Sequence, residues 1–319
     1  MKDKTSKKSQ PSTIIDSHQH VFWHGRDDSG LVRDMDEHGI CQAWLLTWEI
    51  PESPAYLQAH GMARALNPAL VRTNGTHPGI LLDDLLAAHR NHPGRFVLGY
   101  CPDPAKQDAP DLFEAACQMY GVRVCGEWKF RILIDDPQSI EVFRAAGKCK
   151  APVVLHLDVP YLPPAGGSYQ KSWYGGTIDN LGRALEACPE TVFIGHAPGF
   201  WRELSADADQ SPDTYSRAPV VPGGKIEKML DRYPNLHADL SAGSALIAMK
   251  RDTGFTKEFL IRFADRLLFA RDYYGGELLA FLRSLDLPAS ALRKILHENA
   301  LGLVSPGGVP ASAQTKALS

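Results

Sequence analysis

The sequence has no apolar run long enough to cross a bilayer, so no transmembrane segment is expected. It has no cysteine framework either. Its six cysteines (Cys41, Cys101, Cys117, Cys125, Cys149 and Cys188) are scattered and form no CxxC pair, which argues against a disulfide scaffold and a Cys-rich structural zinc site. They read as reduced, mostly buried thiols, and the expected compartment is the cytoplasm. An excess of one charge is also missing: 34 Lys and Arg stand against 37 Asp and Glu, a net charge of -3. That leaves no basic field to hold nucleic acid non-specifically, and no nucleic-acid or membrane partner is expected. The opening MKDKTSKKSQPST is basic and polar without an apolar stretch, so it does not read as a secretory signal. No Pro/Gly/Ser linker and no internal repeat interrupts the interior. A single domain over 13–304 is expected, between disordered tails at 1–12 and 305–319.

What is present is an alternation. Short runs rich in Val, Ile and Leu precede longer amphipathic stretches, the pattern of β-strands each followed by a helix. Eight strand candidates follow in series: Thr13–Asp16, Cys41–Thr47, Arg95–Tyr100, Val122–Phe130, Ala151–Leu157, Thr191–His196, Asn235–Leu240 and Arg266–Asp272. Eight such units predict an α/β fold, a (β/α)8 TIM barrel, rather than an open sheet. Helices are expected over Pro137–Lys148, with Asp136 as cap and proline in the first turn, and over Ile178–Ala187 and Lys225–Tyr233. A last helix over Ala289–Ala300 is expected to close the barrel floor. Two long connections, Asp158–Gly176 and Ala197–Gly224, are longer than compact domains usually tolerate without a function.

In a parallel barrel the active site lies at the C-terminal ends of the strands, and residue types that bind metal collect there. The first strand runs into His18-Gln19-His20, whose alternation lets both imidazoles face one ion. The fifth strand ends in His156, the sixth in His196 and the eighth in Asp272, while Glu127 precedes the end of the fourth. Each has an ordinary explanation when taken singly: a core histidine, a helix cap, a partner for an arginine. Their joint placement at the ends of separate strands is what points to a metal site. Imidazole and carboxylate suit Zn²⁺, and also Mn²⁺, Fe²⁺ or Ni²⁺. Lys129 falls on the same side as Glu127 and reads as a substrate-facing cation, with Trp173 and Tyr174 as substrate-binding aromatics in the fifth connection. Trp128 and Arg271 are expected to face the helices. His24 and His77 read as surface-loop residues, and Arg202 and Arg217 as solvated charges.

The motifs DSHQH (16–20), VVLH (153–156), FIGH (193–196) and LLFARDYY (267–274) resemble the amidohydrolase superfamily. The similarity is greatest to its amidohydrolase-related (amidohydrolase 2) branch of TIM-barrel metal-dependent hydrolases, and it runs from Ile14 to Leu303. The resemblance implies His18 and His20 as the first-strand metal pair, His156 as the fifth-strand ligand, and Asp272 as a ligand that also relays a proton. It implies for His196 either a second-ion ligand or an acid/base group. Gly126-Glu127 is similar to the Gly-Glu of TatD-type hydrolases, where the glutamate joins a two-metal site. Lys129, if carboxylated, is a competing bridge.

The expected activity is metal-dependent hydrolysis of an ester, lactone or amide bond in a small organic substrate, through one or two divalent ions. One alternative is a decarboxylase of the aminocarboxymuconate-semialdehyde type, and another is a non-catalytic barrel that binds a metal or metabolite. A homo-oligomer is compatible with the fold.

Overall fold

The structure, a computed structural model, describes residues 13–52, 65–158, 173–211 and 213–304. The two expected tails lie outside the described residues, as does most of the connection after the fifth strand.

All eight expected strands form; β1 runs on past Asp16 to Gln19, and the other seven are shorter than their apolar runs. They are β1 (Ile14–Gln19), β2 (Ile40–Leu45), β3 (Phe96–Leu98), β4 (Cys125–Trp128), β5 (Val153–His156), β6 (Phe193–His196), β7 (Leu236–Asp239) and β8 (Leu267–Leu268). Each pairs in parallel with its neighbour within two runs, β1-β2-β3 and β4-β5-β6-β7-β8. Backbone bonds join the runs at both seams. Gly99 bridges Val124 in parallel between β3 and β4. At the other seam Ser17 N donates to Phe269 O at 3.0 Å and Asp272 N donates to His18 O at 2.9 Å. The eight strands therefore form a ring, the (β/α)8 TIM barrel.

Strand alternation divides the apolar residues into two layers. Trp44, Leu46, Val124, Val154, Ile194 and Leu268 fill the barrel interior, with Ala300 and Val304 packed beneath them. Those two come from the C-terminal segment, made of α11 (Ala289–Arg293), a π-helical turn over Lys294–Glu298, and α12 (Asn299–Val304). Its Asn299 amide donates to Ala264 O and Leu267 O at the entry to β8, each at 2.7 Å. The expected floor is thus in place, one turn longer than predicted. The opposite strand faces pack against the outer helices. Trp128 is fully buried against Phe143 of α4 (Pro137–Lys148), ring centres 5.7 Å apart. Asp136 caps that helix by accepting from Gln138 N at 2.9 Å.

The connection after β6 is more ordered than an open loop. It contains α6 (Pro198–Trp201) and short 3₁₀ turns over Arg202–Leu204 and Ala208–Gln210. Arg202 is buried, not solvated, because its guanidinium donates to Ala208 O and Ser211 O and so ties the turns together. Arg217 is exposed, as expected. His77 is also buried: it hydrogen-bonds Asn67 O at 2.8 Å and accepts from Gly79 N at 2.9 Å. It serves an antiparallel pair, Trp48–Glu49 with Gly79–Ile80, that the sequence pattern did not indicate.

Gly195 in β6 faces α6 so closely that an added Cβ would lie 2.2 Å from the Phe200 ring. Overpacking of this kind costs about 1–3 kcal/mol. Gly195→Ala is expected to lower stability by that amount in urea unfolding, and an unchanged midpoint would show that Phe200 relaxes freely.

Candidate metal centre

The strands deliver their terminal polar residues to one point at the barrel mouth. His18 and His20 come from the end of β1, Glu127 from β4, His156 from β5 and His196 from β6, all at most 8% exposed. Asp272 follows β8, its side chain 13% exposed. The Gly126–Glu127 peptide is cis.

Two of the imidazoles meet nitrogen to nitrogen. His18 Nδ1 donates to Asp239 Oδ2 at 2.9 Å and His20 Nδ1 donates to Leu46 O at 2.8 Å. With the protons on Nδ1, both Nε2 lone pairs face each other across 3.3 Å. Two facing lone pairs repel unless a cation sits between them. Around them, His20 Nε2 is 3.5 Å from Asp272 Oδ1 and 3.5 Å from Glu127 Oε2. His196 Nε2 is 3.6 Å from Asp272 Oδ2 and 3.7 Å from Glu127 Oε1. Ligands about 2.1 Å from a tetrahedral ion are separated by roughly 3.4 Å, so the spacing suits a metal ion. Asp272 Oδ1 is buried and has no hydrogen-bond partner among the described residues, which is costly unless a cation satisfies it. Two overlapping donor sets, His18–Glu127–His196 and His18–His20–Asp272, follow from this geometry. The residues present fit a divalent ion.

Glu127 is central. Its Oε2 faces His20, while its Oε1 faces His196 and lies 2.6 Å from His156 Nδ1. The other nitrogen of His156 lies 3.1 Å from Asp158 Oδ2. Burial would raise the Glu127 pKa, but Lys129 and His156 hold it well below the usual carboxylate range. For His196, burial disfavours the charged ring, yet Asp239, Asp272 and Glu127 together push its pKa up to about 9. A pocket that strengthens an imidazole's hold on a proton has an excess of buried negative charge, the environment a cation requires.

Lys129 points into the same mouth, as its spacing predicted. Its Nζ is 3.8 Å from Glu127 Oε2, 4.4 Å from the Trp48 ring centre and 5.6 Å from that of Tyr174. Tyr174 is buried with its ring 5.4 Å from that of His156, and Trp173 beside it is half-buried. His24 is exposed and lies against Trp23 and Tyr273, ring centres 4.3 and 4.9 Å away.

Asp239 and Asp158 were missed altogether. Asp239 ends β7 in the run LHADL, which reads as an ordinary strand terminus. Its position at a barrel strand's C-terminal end was the available signal. Asp158 follows His156 by two residues, a spacing that puts both on one side of an extended chain.

The backbone is held in unusual conformations around the mouth. Ala197, Ala242 and Asp272 have φ of 80°, 59° and 48°, a region that costs non-glycine residues free energy and persists where the surroundings impose it. For Asp272 the restraints are visible: its N–H donates to His18 O at 2.9 Å, and Trp23 Nε1 donates to its carbonyl at 3.0 Å.

No family model matches the chain, and no curated protein matches it. Solved structures do. One is an uncharacterized TIM-barrel protein from Bordetella bronchiseptica, 15% identical, covering 91% of this chain and 98% of that one with a TM-score of 0.60. A second is a dihydroxybenzoic acid decarboxylase from Polaromonas with bound manganese and an inhibitor, at 16% identity, 92% and 97% coverage and a TM-score of 0.55. A third is a candidate 2-pyrone-4,6-dicarboxylic acid hydrolase from Pseudomonas putida, at 17%, 92% and 97%, and 0.55. The chain shares the TIM-barrel fold of these structures. No described helix is long and apolar enough to cross a membrane.

Proposed function

We propose that the chain is a metal-dependent hydrolase of the amidohydrolase superfamily, acting on an ester, lactone or amide bond of a small organic molecule at a two-ion site. The observation that carries this reading is the orientation of Glu127, whose two oxygens face two different sets of nitrogens. His18, His20 and Asp272 would hold one ion, and His156 and His196 the other, with Glu127 offering an oxygen to each set. When bound, such ions supply Lewis acidity, which activates water near neutral pH and polarises a carbonyl. Asp272 would accept a proton at the site and pass it to the leaving group. Lys129, between Trp48 and Tyr174, orients a carbonyl or anionic group of the substrate.

The experiment is elemental mass spectrometry of the purified protein against chain concentration. About two divalent ions per chain is the expected result, falling to about one in Glu127→Gln, with ester, lactone or amide turnover restored by metal after chelation. About one ion in the wild type would favour the decarboxylase reading instead. In that reading the His196–Asp239 pair, with the imidazole raised to about 9, serves as acid. Release of CO2 from a carboxylated substrate would decide it.

A further inference from the structure

Asp239 is absent from the two donor sets, yet it is the most heavily engaged carboxylate around them. It is 1% exposed. Its Oδ2 accepts from His18 Nδ1 at 2.9 Å, and its Oδ1 accepts from His196 Nδ1 at 3.0 Å. Ser241 completes the arrangement: its hydroxyl donates to Asp239 Oδ1 at 2.6 Å and lies 2.7 Å from His196 Nδ1. The Ser241 N–H also donates to Asp239 Oδ1, at 3.2 Å. By contrast the third Nε2 donor, His20, is oriented by a neutral carbonyl, that of Leu46.

The consequence follows from where the two histidines belong. His18 lies in both donor sets and His196 in one of them; in the two-ion assignment above, His18 on β1 serves one ion and His196 on β6 the other. One carboxylate keeps the proton of each ring on Nδ1 and presents each Nε2 lone pair to the cluster. A histidine ligand's outer partner fixes its tautomer and orientation and raises its basicity. Here the two ions' ligands share a single outer partner. Resting on the two-ion reading above, we propose that Asp239 is a positioning residue that couples the two half-sites, so that its loss weakens both ions together.

The test is Co²⁺ titration of chelator-treated protein, reading visible absorption and bound metal. Asp239→Asn keeps the shape of the side chain but leaves one oxygen for two N–H donors. It is expected to weaken both Co²⁺ binding steps by about 10–100-fold, with displaced absorption bands for both ions and an unchanged far-UV circular dichroism spectrum. His156→Ala serves as the contrast and is expected to weaken one step alone. Asp239→Asn protein that binds both ions within about twofold of the wild type overturns the proposal. Loss of one step only overturns the coupling. If Asp239→Asn fails to fold, Ser241→Ala retains the carboxylate and removes only the hydroxyl bridge. It is then expected to weaken chiefly the step that His196 serves, and equal affinity there would count against the arrangement. A wild type that takes up about one Co²⁺ overturns the two-ion reading itself, a result read on a different protein from the others.

Discussion

Asp272→Asn is expected to lower turnover by about 10²- to 10⁴-fold at saturating metal while the ions stay bound, the magnitude of a lost general acid/base. The amide keeps the size of the carboxylate and an oxygen that can face a cation, but it cannot accept and release a proton. Two features make the position intolerant. Asp272 Oδ1 is buried without a hydrogen-bond partner among the described residues and 3.5 Å from His20 Nε2, so it is not diverted to a structural role. The backbone at φ 48° is held by His18 and Trp23 from either side, so the side chain cannot swing away to a more comfortable arrangement. The measurement is kcat with metal content determined on the same sample. Full turnover with bound metal would remove Asp272 from the chemistry, whereas loss of metal in step with loss of rate would make it a ligand and nothing more.

Arg271→Met is expected to destabilise the fold by about 3–5 kcal/mol, the cost of stripping one partner from a buried ion network. Arg271 faces away from the mouth, as its place next to Asp272 predicted. Its Nε lies 2.6 Å from Asp16 Oδ2 and its Nη1 lies 2.6 Å from Asp34 Oδ2. All three side chains are at most 5% exposed. Asp16 belongs to β1, Asp34 to α1 (Asp28–Glu37), and Arg271 stands just beyond β8. The triad therefore fastens the seam where the last strand meets the first. Its outer contacts extend the same tie: Gln19 donates to Asp16, Gly275 N donates to Asp34, and Arg271 donates to Gly275 O. Burial already raises the Asp16 pKa even with the guanidinium beside it, so removing the guanidinium strands a carboxylate in the core. Urea unfolding checks the magnitude. A change below about 1 kcal/mol would show the network to be as dispensable as a surface pair.

Much of this was legible in the sequence because two periodicities write it there. A strand buried on both faces reads as a short apolar run, and a barrel strand that feeds an active site ends in a polar residue. VVLH and FIGH show both signals within four residues, and their histidines lie on β5 and β6 with paired register, His156 beside His196. The facing of Trp128, Lys129 and Arg271 followed from alternation alone. Asp239 was not legible because its partners are 221 and 43 residues away, and nothing local distinguishes it from a strand-end aspartate. Arg202 and His77 looked like surface groups for a related reason. A polar side chain can be buried wherever backbone carbonyls happen to converge on it, and those carbonyls carry no trace in residue identity.

The sequence by itself determined the class of fold, the order of its strands and which residue types stand at the barrel mouth, since all three depend on local patterns of burial and spacing. The tertiary structure decided how those residues are shared: that Glu127 faces two sets of nitrogens, that His156 lies between Glu127 and Asp158, and that a single carboxylate on β7 holds histidines from β1 and β6. Such sharing is set by distances of a few ångströms between strands remote in the chain. Those distances exist only once the ring of strands has closed.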